Sequence, residues 1–364
     1  MKANKILFIG GFRKSKKGYF GGVYSVCNSM KTELEDFGYK IIPLDITLND
    51  IAEINAFKRM HSLVWRQIKF IYLIALNRDA KYLYVMFGAG SSYLDKIFII
   101  YFANVLGIKI ISFPSSGFIL NDLSNKFYKI IVSNIFNISF HVICQSDYWK
   151  DMFSSFVDKK KLTIIENWAT QSVISRSMRL GFPSFNIYNN DILKIVYFSR
   201  VEKEKGVFDL IDLIPYLIQK IPFEIDIYGS GSSFIDVRNK IYDLNYQNII
   251  NLKGWLPHEE CLEEINRHHV AVFPSRYESY PGSLLEFIFS KIPIVASNIS
   301  SVQAIGLEYV HYYQPGNICQ LAEQINNLYT NYNHALFNAK TLLNISLIRN
   351  DIKYAIDKLN QIMV

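Results

Sequence analysis

The sequence is sparing with cysteine. Its four, Cys27, Cys144, Cys261 and Cys319, stand far apart with no C-x-x-C pair. That excludes a zinc ribbon, argues against a disulfide scaffold and favours a reducing compartment. Long apolar runs are also missing: no stretch reaches the ~18 uninterrupted apolar residues of a membrane span. The opening ten residues hold too short an apolar run for a signal peptide and read as a first strand. The seven histidines do not fall at metal-ligand spacings, and the adjacent His268 and His269 point apart at a helix-to-strand junction. No D-x-D motif follows a strand, since Glu224-Ile225-Asp226 lies inside one. Neither a dinucleotide G-x-G-x-x-G fingerprint nor a Walker A loop is present. No helix-turn-helix, zinc-finger or aromatic RNA-binding signature points to nucleic acid. The expectation is a soluble cytoplasmic protein.

What is there suffices for two cores. The chain has 364 residues (42.2 kDa), half of them apolar and a fifth charged, with aromatics at 15%. Its charge is divided unevenly. Residues 1–180 hold 24 Lys+Arg against 13 Asp+Glu, and the remainder 15 against 19. Only the first half is built to face something anionic. Within it, residues 57–74 interleave bases with large apolar side chains. As a helix this segment could lie in a lipid interface, with Trp65 and Phe70 buried and Lys58, Arg59, Arg66 and Lys69 on lipid phosphates. The plainer alternative is a core helix with a solvated basic edge.

Strand and helix patterns alternate throughout. Short apolar runs recur at 6–9, 41–44, 82–86, 108–113, 141–144 and 162–165, then at 192–198, 223–228, 249–252, 270–273 and 294–296. Helix-length amphipathic segments separate most of them. After Gly21-Gly22, for instance, Val23, Val26, Met30 and Leu34 fall at spacings of three and four. Such alternation implies an α/β protein with parallel sheets and right-handed crossovers in both halves, and hence two facing Rossmann-like domains with a cleft between them. The polar stretch 168–191, with Gly181 and Pro183, reads as the connection. Domains are therefore expected at 1–168 and 169–349, with a helix at about 350–364 packing back on the first.

Ligands of open parallel sheets bind beyond the carboxyl ends of the strands. Four loops there stand out. The first, Gly10-Gly11 through Gly21-Gly22, is glycine-rich, carries Arg13, Lys14, Lys16 and Lys17, and opens a helix. The second, residues 198–206, puts Arg200 and Lys205 at a strand-to-helix junction, where two fixed cations could neutralise a diphosphate leaving group. The third is the small-residue turn Gly229-Ser230-Gly231. The fourth, residues 273–286, ends a strand at Phe273, carries Glu278 in a loop, and has Pro281 in the first turn of a helix with Glu286 near two turns in. The positive helix end suits phosphate, and a helical acid can accept hydrogen bonds from a ribose diol. Taken singly, Glu278 also reads as a capping acid, Glu286 as an exposed helix acid and the 198–206 loop as a solvated turn.

Together these residues resemble a known family. Glu278 and Glu286 look like the E-x7-E motif of the retaining GT-B glycosyltransferases of family 4, of bacterial surface-polysaccharide type. Ser199-Arg200-Val201 with Lys205-Gly206 is similar to that family's G-R-x-x-x-x-K-G segment, with serine in place of the usual glycine. Gly254-Trp255-Leu256-Pro257-His258-Glu259-Glu260, Ile227-Tyr228-Gly229-Ser230-Gly231 and Lys291-Ile292-Pro293 extend the likeness over roughly residues 192–300. In the first half it is looser, in Gly21-Gly22 and in Val142-Ile143-Cys144-Gln145-Ser146. Many members carry a histidine where this chain reads Pro114-Ser115-Ser116-Gly117.

The resemblance implies transfer of a sugar from a nucleotide diphosphate sugar with retention at the anomeric carbon. Arg200, Lys205 and Glu278 would be catalytic: the two cations would hold the diphosphate, and Glu278 would contact the donor sugar beside the backbone of Ser279, Tyr280, Pro281, Gly282 and Ser283. Glu286 would bind the ribose, Trp255 and Leu256 would lie by the base, and Gly22 and Gly229 would allow close approach to the phosphates. No metal or other cofactor is expected, because cationic side chains already serve the phosphates. The expected partners are a UDP- or GDP-sugar, a polyprenyl-diphosphate-linked glycan of O-antigen or capsule biosynthesis, and the anionic inner face of the cell membrane. Two other readings remain open: a sugar-nucleotide 2-epimerase, and a non-catalytic glycosyltransferase-like partner subunit.

Overall fold

The computed structural model describes residues 4–13, 22–47, 56–186, 191–257 and 260–363. The chain divides into two compact units: residues 1–168 with 352–364, and residues 169–351. Unit 1 runs β1 (Lys5–Gly10), α1 (Gly22–Asp36), β2 (Lys40–Asp45), α2 (Ala56–Leu76), β3 (Tyr82–Phe87), α3 (Ser91–Val105), β4 (Lys109–Pro114), α4 (Ile119–Ser124), α5 (Lys126–Ile138), β5 (His141–Cys144), α6 (Asp147–Phe153) and β6 (Leu162–Ile164). Unit 2 runs α7 (Gln171–Arg179), β7 (Leu193–Phe198), α8 (Val207–Asp212), α9 (Ile214–Leu217), β8 (Phe223–Tyr228), α10 (Phe234–Asp243), β9 (Ile250–Gly254), α11 (Cys261–Asn266), β10 (Val270–Phe273), α12 (Gly282–Phe289), β11 (Ile294–Ser297), α13 (Ser300–Gly306), β12 (His311–Tyr313), α14 (Ile318–Thr330) and α15 (Tyr332–Arg349). The chain then returns to unit 1 with α16 (Ile352–Met363).

Each unit is one six-stranded sheet whose pairings are all parallel. The orders are β2-β1-β3-β4-β5-β6 and β12-β11-β10-β7-β8-β9. Parallel strands need crossovers, and the crossover helices cover both faces, so a central strand is apolar along its whole length. Accordingly, all six residues of β3, Tyr-Leu-Tyr-Val-Met-Phe, are buried. The alternation of side chains still sorts them. Leu7, Ile9, Leu83 and Val85 meet α2, α3 and α5 on one face. Ile6, Phe8, Tyr82 and Tyr84 meet α1 and α16 on the other. On α16, Ile352, Ile356, Leu359 and Met363 recur at helical spacing and close that second face. Unit 2 repeats the plan, with Ile195, Tyr197, Ile225 and Ile227 facing α8, α10 and α14. Val196, Ala271 and Phe273 face α11, α12 and α15.

Three local expectations change. The stretch read as connecting chain carries α7, whose N-cap Thr170 accepts from Val173 N–H. Arg176 grips Glu263 with two bonds (3.1 and 2.5 Å), and Ser177 Oγ donates to Phe289 O (2.6 Å). Gly181 and Pro183 lie beyond the end of that helix, so they do not interrupt it. The amphipathic segment forms α2, but Phe70 is 2% exposed and sits in the core, while Arg66 pairs with Asp95 at 2.5 Å. Neither residue is therefore available to a lipid surface. Lys58 and Arg59 have side chains outside the described set. Lastly, β12 is a strand that three residues of alternating pattern could not announce.

His268 and His269 both brace unit 2. His268 Nδ1 binds Glu264 O and its Nε2 faces Asp226, at 2.9 and 3.3 Å. His269 Nδ1 accepts from Lys194 N–H (3.1 Å), which fixes a neutral ring with its hydrogen on Nε2. Burial first, and then the Lys194 charge, push the His269 pKa down to about 4. The unfolded chain, titrating near ~6.5, therefore binds a proton that the folded ring refuses. Stability is unaffected above pH ~6.5 and declines as pH falls from there toward ~4. Urea denaturation at several pH values should show that decline, and a shallower slope in His269→Asn than in the parent.

Candidate active site

The second, third and fourth loops come together at the carboxyl ends of β7, β8 and β10, all within unit 2. Beyond Phe198 the chain is laced to its neighbour, with Ser199 N–H donating to Tyr228 O (3.3 Å) and Val201 N–H to Ser230 O (3.0 Å). Such close lacing requires glycine. Gly229 has φ +136°, and a Cβ there would lie 1.9 Å from Ser199 O. Gly206, at φ +71°, follows the 3-10 turn Lys203–Lys205 and would put a Cβ 2.1 Å from Pro274 O. At both positions the backbone conformation and the absence of a side chain are needed together.

Lys205 and Glu278 meet there. Lys205 Nζ and Glu278 Oε1 are 2.5 Å apart, and each side chain is 11% exposed. Ser275 Oγ donates to the same carboxylate oxygen at 2.8 Å. Ser275 is itself buried, and its carbonyl accepts from Ser297 Oγ. A charge pair so far removed from water is costly to dismantle, because deleting one member strands the other. The ammonium has three hydrogens, so Glu278 does not exhaust it. A positioned cation with spare donors is suited to a phosphate oxygen.

Arg276 was not singled out from the sequence, yet it holds this loop in place. Its guanidinium forks onto Asp209 of α8 (2.8 and 3.0 Å) and also donates to Pro274 O (3.1 Å). Its own N–H donates to Glu204 O (2.9 Å). The β10–α12 loop is thus tied to the turn that presents Lys205. The signal was Asp209, the one acid in the otherwise apolar first turn of α8, since a buried carboxylate requires a partner.

The remaining predicted residues are placed as follows. Arg200 is mostly exposed and gives one of its five guanidinium N–H donors to Glu202 at 2.8 Å. Pro281 is the N-cap of α12, one residue before the helix, and Glu286 is the fifth helical residue, just past the first turn. Both therefore sit nearer the helix start than the sequence implied. Tyr280 is 3% exposed and its hydroxyl accepts from Asn350 Nδ2 (2.6 Å), so its side chain anchors the loop and only its backbone is left to face a ligand. Ser279 and Ser283 are half-buried and Gly282 is exposed. Trp255, 42% exposed, and the half-buried Leu256 follow β9, whose last residue accepts from Gly229 N–H (2.7 Å). In unit 1, Gly22 is the first residue of α1, while residues 14–21 of the first loop lie outside the described set. Arg13 of that loop pairs with Asp45 at 3.0 Å. Among the described residues no cluster of His, Cys, Asp or Glu could hold a metal ion.

The lacing at Gly229 can be tested directly. In Gly229→Ala, steric overlap and the unfavourable φ should destabilise the protein by ~1–3 kcal/mol in chemical denaturation. An alanine variant as stable as the parent would show that the loop relaxes without cost.

Comparison with known proteins bears on the fold and on the second unit. Residues 183–338 match the family described as glycosyl transferases group 1. Over 339 residues the chain is 22% identical to the phosphatidylinositol N-acetylglucosaminyltransferase gpi3 subunit of Schizosaccharomyces pombe, covering 86% of this chain and 70% of that protein. It is 23% identical to the 2-deoxystreptamine N-acetyl-D-glucosaminyltransferase of Niallia circulans, spanning 57% of this chain and about half (54%) of that enzyme. Anabaena HepE, solved with UDP and glucose, superposes with a TM-score of 0.72 over 99% of both chains at 15% identity. The two parallel six-stranded sheets are those of the GT-B fold. The group 1 match lies within unit 2, and the chain is a glycosyltransferase.

Proposed function

We propose that the protein is a retaining transferase of family 4 type. In this reading it takes a sugar from a nucleotide diphosphate sugar, without a metal ion, and passes it to a lipid-linked acceptor of bacterial surface-glycan synthesis. The observation that carries the reading is the Lys205–Glu278–Ser275 cluster at the strand ends of a group 1 domain. Two relatives favour a lipid acceptor and a nucleotide donor. The name of the S. pombe protein carries a phosphatidylinositol acceptor, and HepE was solved with UDP.

The chemistry follows from the charges. The bond between the anomeric carbon and the diphosphate oxygen breaks, and negative charge collects on the departing nucleotide. Lys205 neutralises it through the hydrogens not given to Glu278, and Arg200 through those not given to Glu202. Glu278, fixed by Lys205 and Ser275, accepts from hydroxyls of the donor sugar. Glu286 takes the ribose diol. The acceptor hydroxyl attacks on the face the nucleotide leaves, and its proton passes to the leaving phosphate oxygen, so configuration is retained and no protein carboxylate is consumed. Fixed cations aimed at a developing charge contribute ~2–4 kcal/mol each to such a step.

Calorimetric titration with UDP, GDP and ADP in EDTA is the test. One nucleotide should bind the parent without metal and fail to bind Glu286→Ala; if none of the three binds the parent, the donor site is wrong. In steady-state kinetics on folded protein, Lys205→Ala should lower kcat by ~30- to 1,000-fold with a much smaller rise in KM. A Lys205→Ala enzyme with the parent kcat would remove the lysine from the mechanism.

A further inference from the structure

Helices α2, α3 and α5 lie side by side over one face of the unit 1 sheet. Their inner sides supply Phe70, Ile74, Ile99, Ile100 and Ile131 to the core. The outer side of such a helix ordinarily carries charge. Here it is apolar. On α2, Trp65, Ile68 and Tyr72 are 60%, 53% and 61% exposed. On α3, Phe98, Tyr101 and Val105 are 73%, 42% and 82% exposed, and on α5 Phe127 and Ile130 are 59% and 62% exposed. Within each helix these residues recur three or four apart, so each row is one continuous stripe.

The charges of α3 are spent elsewhere. Its two ionisable residues other than tyrosine are Asp95, which pairs with Arg66 of α2, and Lys96, which is 2% exposed. Lys96 Nζ donates inward to Ser92 O and Oγ, at 3.0 and 2.7 Å. The neighbouring helices supply cations instead: Lys69 on α2, and Lys126 and Lys129 on α5, are exposed. Together the three helices hold seven Lys or Arg and one acid.

We propose that this face docks the protein on an anionic bilayer, with the apolar stripes entering the interfacial zone and the lysines on lipid phosphates. Three features select a bilayer as the occupant. Trp and Tyr rings, apolar with one polar atom, suit the headgroup level. Lysines near an anionic surface add ~1 kcal/mol each. A second copy of this face would instead oppose lysine to lysine. No helix among the described residues is long and apolar enough to cross a membrane, so the contact is in-plane. The proposal rests on the reading of a lipid-linked acceptor for its purpose alone, because docking needs neither donor nor acceptor.

The experiment is co-flotation of the full chain with vesicles of phosphatidylglycerol and phosphatidylethanolamine, against phosphatidylcholine alone. The protein should float with the anionic vesicles at low salt and bind phosphatidylcholine at least tenfold more weakly. Phe98→Asp with Val105→Asp should weaken anionic binding at least tenfold. Lys126→Glu with Lys129→Glu should weaken it severalfold and flatten its salt dependence. Tryptophan emission should shift to the blue on anionic vesicles, and most of that shift should vanish in Trp65→Phe. All substituted side chains point outward, and nucleotide titration of each variant separates loss of docking from loss of fold or of the donor site. Unchanged flotation of the Phe98/Val105 variant, or a dimer in solution that this variant dissolves, would overturn the proposal.

Discussion

The Lys205–Glu278 pair is the constraint around which the second unit is arranged. Two opposite charges almost out of water must keep their distance and their remaining hydrogen bonds, or the site becomes a liability. Everything close by enforces that. Ser275 supplies the second bond to the carboxylate, and the Arg276 fork on Asp209 ties the carboxylate's loop to the lysine's turn. Gly206 and Gly229 let backbones approach to where any other residue would collide. Rigidity of this kind is what electrostatic stabilisation requires, since dipoles and charges already in position need no reorganisation when charge develops.

The two units solve the same covering problem with opposite surfaces. In both, helices bury both faces of a parallel sheet, and the inward sides are alike. They differ in what faces outward. The first half of the chain concentrates its bases, and the second is mildly acidic. Packing does not require this difference, because an outward position contributes little to the core.

Much of this was legible in the sequence, and the reasons are specific. Strands such as β3 and β10 announce themselves because a doubly covered parallel strand is apolar at every position. The loops carrying Lys205 and Glu278 could be placed because strand ends dictate where ligands go. What could not be read was partnership. The pairing of Arg66 with Asp95 and of Arg276 with Asp209 joins residues 29 and 67 positions apart. Local pattern is silent about such contacts, so Arg66 read as a cation open to lipid and Arg276 passed unremarked. Helix α7 was hidden by composition, its polar outer side resembling a loop, and β12 by its three-residue length.

The return of α16 to unit 1 bears on how the protein is made. Its apolar side, Ile352 to Met363, completes the face of the sheet that begins with β1, and Tyr82 at the head of β3 donates its hydroxyl hydrogen to the carbonyl of Met363. During synthesis the ribosome therefore releases every residue of unit 2 before unit 1 receives its last helix. Unit 2 can fold as it emerges, whereas the earlier-made sheet waits with one face incompletely covered. Helix α16 thus sets when the sheet of unit 1 becomes native, and a nascent chain stalled before α16 emerges would expose the apolar face of β1 and β3.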